Sequence, residues 1–467
     1  MARRRFWAVL PLILAALGLG IYTLLVTPRR FFQCLGAPAR YFLRPDGSEQ
    51  RASLPAPSPG NRVRLLVNGD EALPALLQAI DGAQQNIRWQ VMLFAPDAVG
   101  EELAQALASA ARRGVQVQLS FNIDQSVNGT IVDGFSRAQK QHLNQQMERM
   151  LADLRAAGVE VLANTSGVDF PLGNVSTEAR AIQQQIQANT CVSANHIDHR
   201  KIVVIDGRTA FIGGMNVGGS YLYHIPPQAN ADMVEEAAQR AREGLPEPWE
   251  KWLDSAVVVE GPVVQEMVRS FNWRWEVLGG SPVAAEPVGA VGGSAPVQWL
   301  EQRPGSPQVG ARVLELIEGA QQEIWIASPF VSYDPALEAL RSAARRGVRV
   351  VFVTPGKHQE MPISRRIFRD SADELVADGV EVFFNDRRMA HTKLLVVDGR
   401  LSLVGSFNFN NRSFLHDLEA GALVDDPALA REIIERVFLP YLTISTPLIE
   451  PLNVPWNPFN WIIKPFT

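Results

Sequence analysis

Two stretches of the chain carry the same chemically capable side chains at the same spacing. His199-Arg200-Lys201 is followed by Asp206, Gly213, Gly214 and Asn216, and His391-Thr392-Lys393 by Asp398, Gly405, Ser406 and Asn408. A single His-x-Lys carries no information, whereas two copies in one register do. A neutral imidazole is a nucleophile or general base, and an imidazolium is a general acid. An ammonium beside it neutralises anionic oxygens as charge develops, and an Asn amide adds donors. Two of each around one site suit a phosphodiester. One His attacks phosphorus to give a phosphohistidine, and the other protonates the leaving alkoxide. The lysines supply the positive charge, so neither a metal nor another cofactor is expected.

The elements that must hold these groups are short strands. Lys201-Ile-Val-Val-Ile205 and Lys393-Leu-Leu-Val-Val397 are apolar and partly β-branched, as buried strands are. Each ends in Asp-Gly, a hairpin turn signal, and a second apolar run follows, Thr209–Ile212 or Leu401–Val404. Side chains alternate along a strand, so His199 with Lys201, and His391 with Lys393, project from one face and share a pocket. The glycines Gly213, Gly214 and Gly405 let backbone approach a ligand closely. Asp206 and Asp398 are read as supporting turn residues that bond their own backbone.

Further repeats accompany the motifs. Gly82-Ala-Gln-Gln-Asn-Ile87 recurs as Gly319-Ala-Gln-Gln-Glu-Ile324, Ala110–Val115 as Ala343–Val348, and Ala157–Val161 as Asp378–Val382. Each half therefore reads strand, helix, strand, helix, strand, then the hairpin, which predicts an α/β fold with helices such as Pro74 to Ile80 and Pro335 to Arg346 covering a mixed sheet. The halves are unequal: 41 residues separate Gly158 from His199 against 12 between Gly379 and His391. This insertion, and another from Ser220 to Pro248, attach near the motif strands, where they could shape an entrance, form a lid or simply elaborate the surface. Gly279 to Pro296 is rich in Gly, Pro, Ala and Val and reads as a linker. The expected organisation is an anchor at 1–30, one lobe at 60–278, a linker at 279–297, a second lobe at 298–445 and a tail at 446–467.

At His-Arg-Lys-Ile-Val-Val-Ile-Asp-Gly with Gly-Gly-Met-Asn, and His-Thr-Lys-Leu-Leu-Val-Val-Asp-Gly with Gly-Ser-Phe-Asn, the chain resembles the phospholipase D superfamily, most closely the two-motif branch that includes bacterial cardiolipin synthases. Asn411-Arg412-Ser413, Glu419, Trp252-Leu-Asp254 and Val259-Glu-Gly261 support the resemblance, which spans roughly residues 60 to 445. It implies two phospholipase D-like lobes about a pseudo-twofold axis with the site between them. It also implies His199 as nucleophile, His391 as acid, and a carboxylate orienting each ring. Glu419, close downstream of His391, is assigned to that His, and Asp254 to His199 across the insertion. The implied activity is transfer or hydrolysis at phospholipid head groups.

Phe6 to Val26 is an uncharged, Leu-rich run of 21 residues between Arg3-Arg4-Arg5 and Arg29-Arg30. At about 1.5 Å per residue it is long enough to cross a bilayer. Thr27-Pro28-Arg29 stands where a small-x-small cleavage site would be, so an uncleaved transmembrane anchor is expected rather than a signal peptide. Arginines on both sides leave the charge bias weak, and catalytic lobes outside the cytoplasm are the favoured orientation. Cys34 and Cys191 permit one disulfide and do not settle the compartment. The tail from Pro447 holds five prolines with Trp456, Phe459, Trp461, Ile462, Ile463 and Phe466. It either lies at a lipid interface or packs along the protein's own surface. Net charge is −5 with a pI near 5.9, which counts against a partner of long nucleic acid, although Arg365-Arg366 and Arg387-Arg388 are candidate local anion contacts. Three functions compete: a phospholipid phosphodiesterase or phosphatidyltransferase, a membrane-tethered nuclease using the same chemistry, and a non-catalytic lipid-binding protein. Both intact motifs disfavour the last.

Overall fold

A computed structural model describes residues 45–467 apart from 124–125, 127–136, 165–175, 190–195, 224–251, 283–290, 358, 360, 455–456, 458–459 and 461–462. The anchor expected at 1–30 therefore lies outside the described residues. Among the described residues no helix is long and apolar enough to cross a membrane.

The strands of the first half are β1 (Ser58–Val67), β2 (Asn86–Val91), β3 (Gln116–Asn122), β4 (Glu160–Asn164), β5 (Ile202–Ile205), β6 (Thr209–Gly213) and β7 (Ser255–Glu260). The second half supplies β8 (Ala295–Arg303), the two-residue β9 (Ser306–Pro307), β10 (Glu323–Ala327), β11 (Arg349–Pro355), β12 (Glu381–Asn385), β13 (Leu394–Val397), β14 (Leu401–Gly405), β15 (Glu419–Asp425) and β16 (Ser445–Pro447). They join in one mixed sheet whose halves repeat a single order: β1-β7-β6-β5-β2-β3-β4 on one side and β8-β15-β14-β13-β10-β11-β12 on the other. The halves meet where β1 pairs antiparallel with β8, Asn61 opposite Ala295. Only β2-β3-β4 and β10-β11-β12 are parallel. These strands are linked through helices such as Ala98–Arg112 and Asp334–Arg345, as parallel connections require. The α/β expectation is met.

Alternation along β5 and β13 decides which side chains face what. Ile202, Val204, Leu394 and Val396 enter one apolar cluster shared by both halves, together with Val257, Val297 and Ala422. Val203 and Ile205 face the first half's outer layer, and Leu395 and Val397 the second's. At roughly 1.5–3 kcal/mol per buried aliphatic side chain, a one-residue slip in either strand is strongly disfavoured, which fixes the face on which His199, Lys201, His391 and Lys393 project.

The expected linker ends earlier than 297. Ala295 and Val297 are buried strand residues, and Gly293 lies so close to the Asn61–Arg62 backbone that a Cβ would come within 2.2 Å of Asn61 O. Low charge there reflects packing rather than a free connector. The described part of the first insertion contains the helix Thr177–Asn189, whose Ala179 and Ile186 pack on Trp273, Val277 and Leu418. Most of the second insertion falls outside the described residues. In the tail, β16 pairs with β12, and Leu452 and Asn453 donate backbone N–H groups to Asp373, so the described residues pack along the protein. Trp456, Phe459, Trp461 and Ile462 are outside the described set.

Candidate active site

Each hairpin closes through its Asp-Gly pair, with left-handed φ at Asp206 (52°) and Gly207 (61°), and at Asp398 (51°) and Gly399 (57°). Both central residues at positive φ suit the right-handed twist of the flanking strands. The aspartates, however, do not bond their own turns. Asp206 accepts the backbone N–H groups of Gln84, Gln85 and Asn86, and Asp398 those of Gln321, Gln322 and Glu323. The Gly-Ala-Gln-Gln repeats and the motif aspartates are thus each other's partners, at the strand ends opposite the histidines.

At the other end, His199 and His391 sit at the boundary between the halves. His199 N–H donates to Leu418 O at 2.8 Å, and Leu418 N–H to Ile197 O at 2.9 Å. Reciprocally, His391 N–H donates to Leu253 O at 2.7 Å, and Leu253 N–H to Met389 O at 2.8 Å. Leu418 directly precedes Glu419, the first residue of β15, and Leu253 precedes Asp254, the residue before β7. Each histidine is therefore delivered to the carboxylate of the opposite half: His199 Nδ1 is 2.9 Å from both Glu419 oxygens, and His391 Nδ1 is 2.7 Å from Asp254 Oδ2. This reverses the assignment made from sequence. Proximity along the chain favoured Glu419 with His391, but the bridges of the strand ends cross the boundary.

The two pairs have different surroundings. Glu419 also accepts the hydroxyls of Ser406 and Ser413, both at 2.5 Å. Asp254 Oδ1 accepts the N–H of Ser255 at 2.8 Å. Its main chain is held by Asn68, whose N–H donates to Asp254 O at 2.8 Å. In the place of Ser406 the first half has Gly214, where a Cβ would stand 2.3 Å from Asp254 Oδ1. Gly213 and Gly405 press in the same way on the adjacent strand, at Ser255 O and Ala420 O. These glycines are required by neighbouring protein, not by an approaching ligand. Around His391 stand Tyr221 and Trp252, ring centroids 5.1 and 5.2 Å away, with Phe330 at 6.4 Å.

Lys201 Nζ donates to His199 O at 2.7 Å; Lys393 Nζ donates to His391 O at 2.5 Å and lies 2.9 Å and 3.0 Å from the ring nitrogens. The four groups converge, since each lysine depresses the proton affinity of both histidines. Burial and the lysines hold His199 well below its ordinary pKa, and His391 down to about 3. Burial lowers Lys201 to about 8, against the pull of Glu419 and Asp254. Burial likewise pushes Glu419 up to about 8, although Lys201 and both serine hydroxyls favour its ionised form. Asn216 and Asn408 are buried beside the motifs; Asn216 Oδ1 accepts Leu93 N–H at 3.3 Å, and Asn408 N–H donates to Ser413 Oγ at 3.1 Å.

Several residues escaped the sequence reading. Asp198 and Arg200, two apart on the face opposite His199, form a buried pair at 2.8 Å that Arg274 joins at 3.0 Å. The i, i+2 rule that placed His199 with Lys201 could have found them. Tyr221 and Asp417 carried no signal of their own. Of the arginine pairs, Arg388 donates to Tyr223 Oη at 2.9 Å next to Trp252, whereas Arg365 and Arg366 lie on the helix Pro362–Ala377.

The chain matches the family model described as cardiolipin synthase, PLD-like domain, over residues 76–234 and 313–438. It is 30% identical over 381 residues to cardiolipin synthase A of Pseudomonas fluorescens (strain SBW25), covering 80% of this chain and 67% of that protein. To cardiolipin synthase B of Escherichia coli (strain K12) it is 28% identical over 380 residues, covering 79% of this chain and 77% of that protein. Against cardiolipin synthase A of Pseudomonas aeruginosa (strain LESB58) the chain spans 65% of the relative's length. The fold is similar to the crystal structure of phosphatidylserine synthase from Haemophilus influenzae Rd KW20, with a TM-score of 0.58 at 14% identity, covering 88% of this chain and 94% of that one. Matched across both of its halves, the chain belongs to the cardiolipin synthase, PLD-like domain family.

Proposed function

We propose that the chain is a phospholipid phosphatidyltransferase working through a phosphohistidine. The observation that carries this reading is the reciprocal pairing of His199 with Glu419 and His391 with Asp254. Each carboxylate occupies Nδ1, which leaves Nε2 of His199 for attack and Nε2 of His391 for proton transfer once the anionic substrate draws Lys393 Nζ from its 3.0 Å contact there. Low proton affinity keeps His199 unprotonated and nucleophilic. Its Nε2 attacks phosphorus, forming a P–N bond as the P–O bond to the departing alcohol breaks. His391, protonated once the anionic phosphodiester offsets Lys393, gives its proton to that alkoxide. An acceptor alcohol then yields its proton to His391 and attacks phosphorus, and the P–N bond breaks to restore His199. Lys201, Lys393, Asn216 and Asn408 stabilise the phosphoryl oxygens. Asp206 and Asp398 hold the hairpins.

The relatives' names, cardiolipin synthase A and B, favour cardiolipin as the product; phosphatidylglycerol as both donor and acceptor would give it, with water as the competing acceptor giving phosphatidic acid. The run Phe6 to Val26 supports a membrane anchor, and we propose lobes outside the cytoplasm. The test is mass-spectrometric product analysis with phosphatidylglycerol vesicles, a His199→Ala control and a single-stranded DNA arm. Cardiolipin formed only by the unsubstituted chain is expected. Cleaved DNA with intact lipid would replace the reading with a nuclease.

A further inference from the structure

We propose that the tail segment Lys464–Thr467 is a positioning element for the His199–Glu419 pair, acting through the short helix Asn411–Leu415. Five residues cannot sustain a helix alone, so what surrounds this one fixes where its side chains stand. On its outer side the tail grips it. Arg412 N–H donates to Thr467 O at 3.0 Å, and Asn411 Nδ2 to Lys464 O at 2.9 Å. The Ser332 hydroxyl donates to Thr467 O at 3.0 Å and lies 3.1 Å from Thr467 Oγ1, and Lys464 Nζ reaches Asp334 at 2.5 Å.

On its inner side the next residues serve the site. Ser413 Oγ donates to Glu419 Oε1. The Arg412 guanidinium holds Asp417 at 2.9 and 3.1 Å. Asp417 Oδ1 in turn accepts Ile197 N–H at 3.0 Å, in the segment before β5 that delivers His199. Asn411 and Arg412 thus hold the tail on one side of the helix, while Arg412 and Ser413 support both members of the pair on the other. Releasing the tail lets the helix shift, and Glu419 loses the Ser413 donor that favours its ionised form. The His199–Glu419 pair then keeps its shared proton to higher pH, while His391, held by Asp254, is unaffected.

The activity readout rests on the phosphatidyl-transfer reading, so the experiment includes one that does not: site-resolved exchange of the histidine C2 proton, followed by mass spectrometry across pH. In the full chain lacking residues 464–467, the His199 titration should move up by about one pH unit while His391 stays in place. With phosphatidylglycerol vesicles, kcat should fall about tenfold with KM unchanged, and the alkaline dependence of kcat should move the same way. Thr467→Ala, which removes the tail hydroxyl bonded to Ser332 Oγ and Lys464 O, should reproduce the shift more weakly, and decides the matter if the deletion fails to fold. Thr467→Ser, which keeps the hydroxyl, should behave as the native chain. An unmoved His199 titration in a folded variant overturns the proposal. So does an equal shift of both histidines, which would mark general loosening. A native chain inactive on every phosphodiester would sink the functional reading and leave the exchange result to judge the tail.

Discussion

The His199–Glu419 pair and the His391–Asp254 pair occupy equivalent places in two copies of one fold, yet their surroundings differ in kind. Two serine hydroxyls stabilise Glu419, and the tail supports one of them. Asp254 has a glycine pressed against it, and aromatic rings pack round its histidine. Duplication supplied the crossing geometry, in which each half lends a histidine to the other's carboxylate. Later divergence at single positions, Gly214 against Ser406 and Tyr221 against Ser413, made the two pairs chemically unequal. A polar, hydroxyl-rich setting favours the ionised carboxylate that an attacking His199 needs. A drier setting keeps His391 short of protons until an anionic substrate arrives.

Exchanging the carboxylates for amides gives the largest effect. Glu419→Gln and Asp254→Asn each replace a charged, acceptor-only partner by a neutral amide that can also donate and so favours the wrong tautomer, and each should cut kcat on the order of 10³-fold. Glu419→Gln should slow formation of the covalent intermediate and shift only the His199 titration. If it shifts only His391, the crossing is wrong.

Substitutions between the glycine and the serine come next. Gly214→Ser places a Cβ 2.3 Å from Asp254 Oδ1 and must move that carboxylate, so a loss of about 100-fold in kcat is expected. Ser406→Gly removes one hydrogen bond to Glu419, and a loss of about tenfold is expected. Equal losses in steady-state kinetics would mean that the two positions are interchangeable.

The pairs also separate in their effect on stability against pH. Folding raises Glu419 to about 8, above its unfolded value, so its contribution is present at low pH and lost as pH rises through about 8. Folding lowers His391 to about 3 from 6.5, so its contribution is present above 6.5 and lost as pH falls towards 3. In Tm measured against pH, Glu419→Gln should flatten the alkaline limb and His391→Gln the acid one. Each variant flattening the other's limb would reject the assignment.

The smallest effect on activity belongs to the turns. Asp206→Ala and Asp398→Ala each strand three backbone donors, and should cost about 1–3 kcal/mol of stability in denaturant unfolding. Their kcat should change by less than about threefold. A large loss of activity at unchanged stability would place these aspartates in the chemistry.

Much of this was legible in the chain. The His-x-Lys spacing and the alternation of Ile202 to Ile205 and Leu394 to Val397 put the right side chains on one face, because strand periodicity is local physics. The repeat predicted two copies of one α/β unit. Which carboxylate serves which histidine was not legible, because it depends on Asp198 pairing with Leu418 and Leu253 with Ala390 across a boundary that neither motif encodes. The role of the motif aspartates is hidden for the same reason: their partners lie 120–122 residues from Asp206 and 75–77 from Asp398, in the Gly-Ala-Gln-Gln repeats. The apolar stretch around Gly293 to Val297 reads as a linker in sequence because a buried strand and an uncharged connector share a composition.

The most direct test of the central claim is to trap the intermediate. Asp254→Asn, incubated briefly with phosphatidylglycerol vesicles, acid-quenched under conditions that preserve P–N bonds and digested, should yield a phosphatidyl adduct on the peptide containing His199. Glu419→Gln should yield little. An adduct on His391, or one that accumulates in Glu419→Gln and not in Asp254→Asn, would contradict both the crossing and the assignment of the nucleophile.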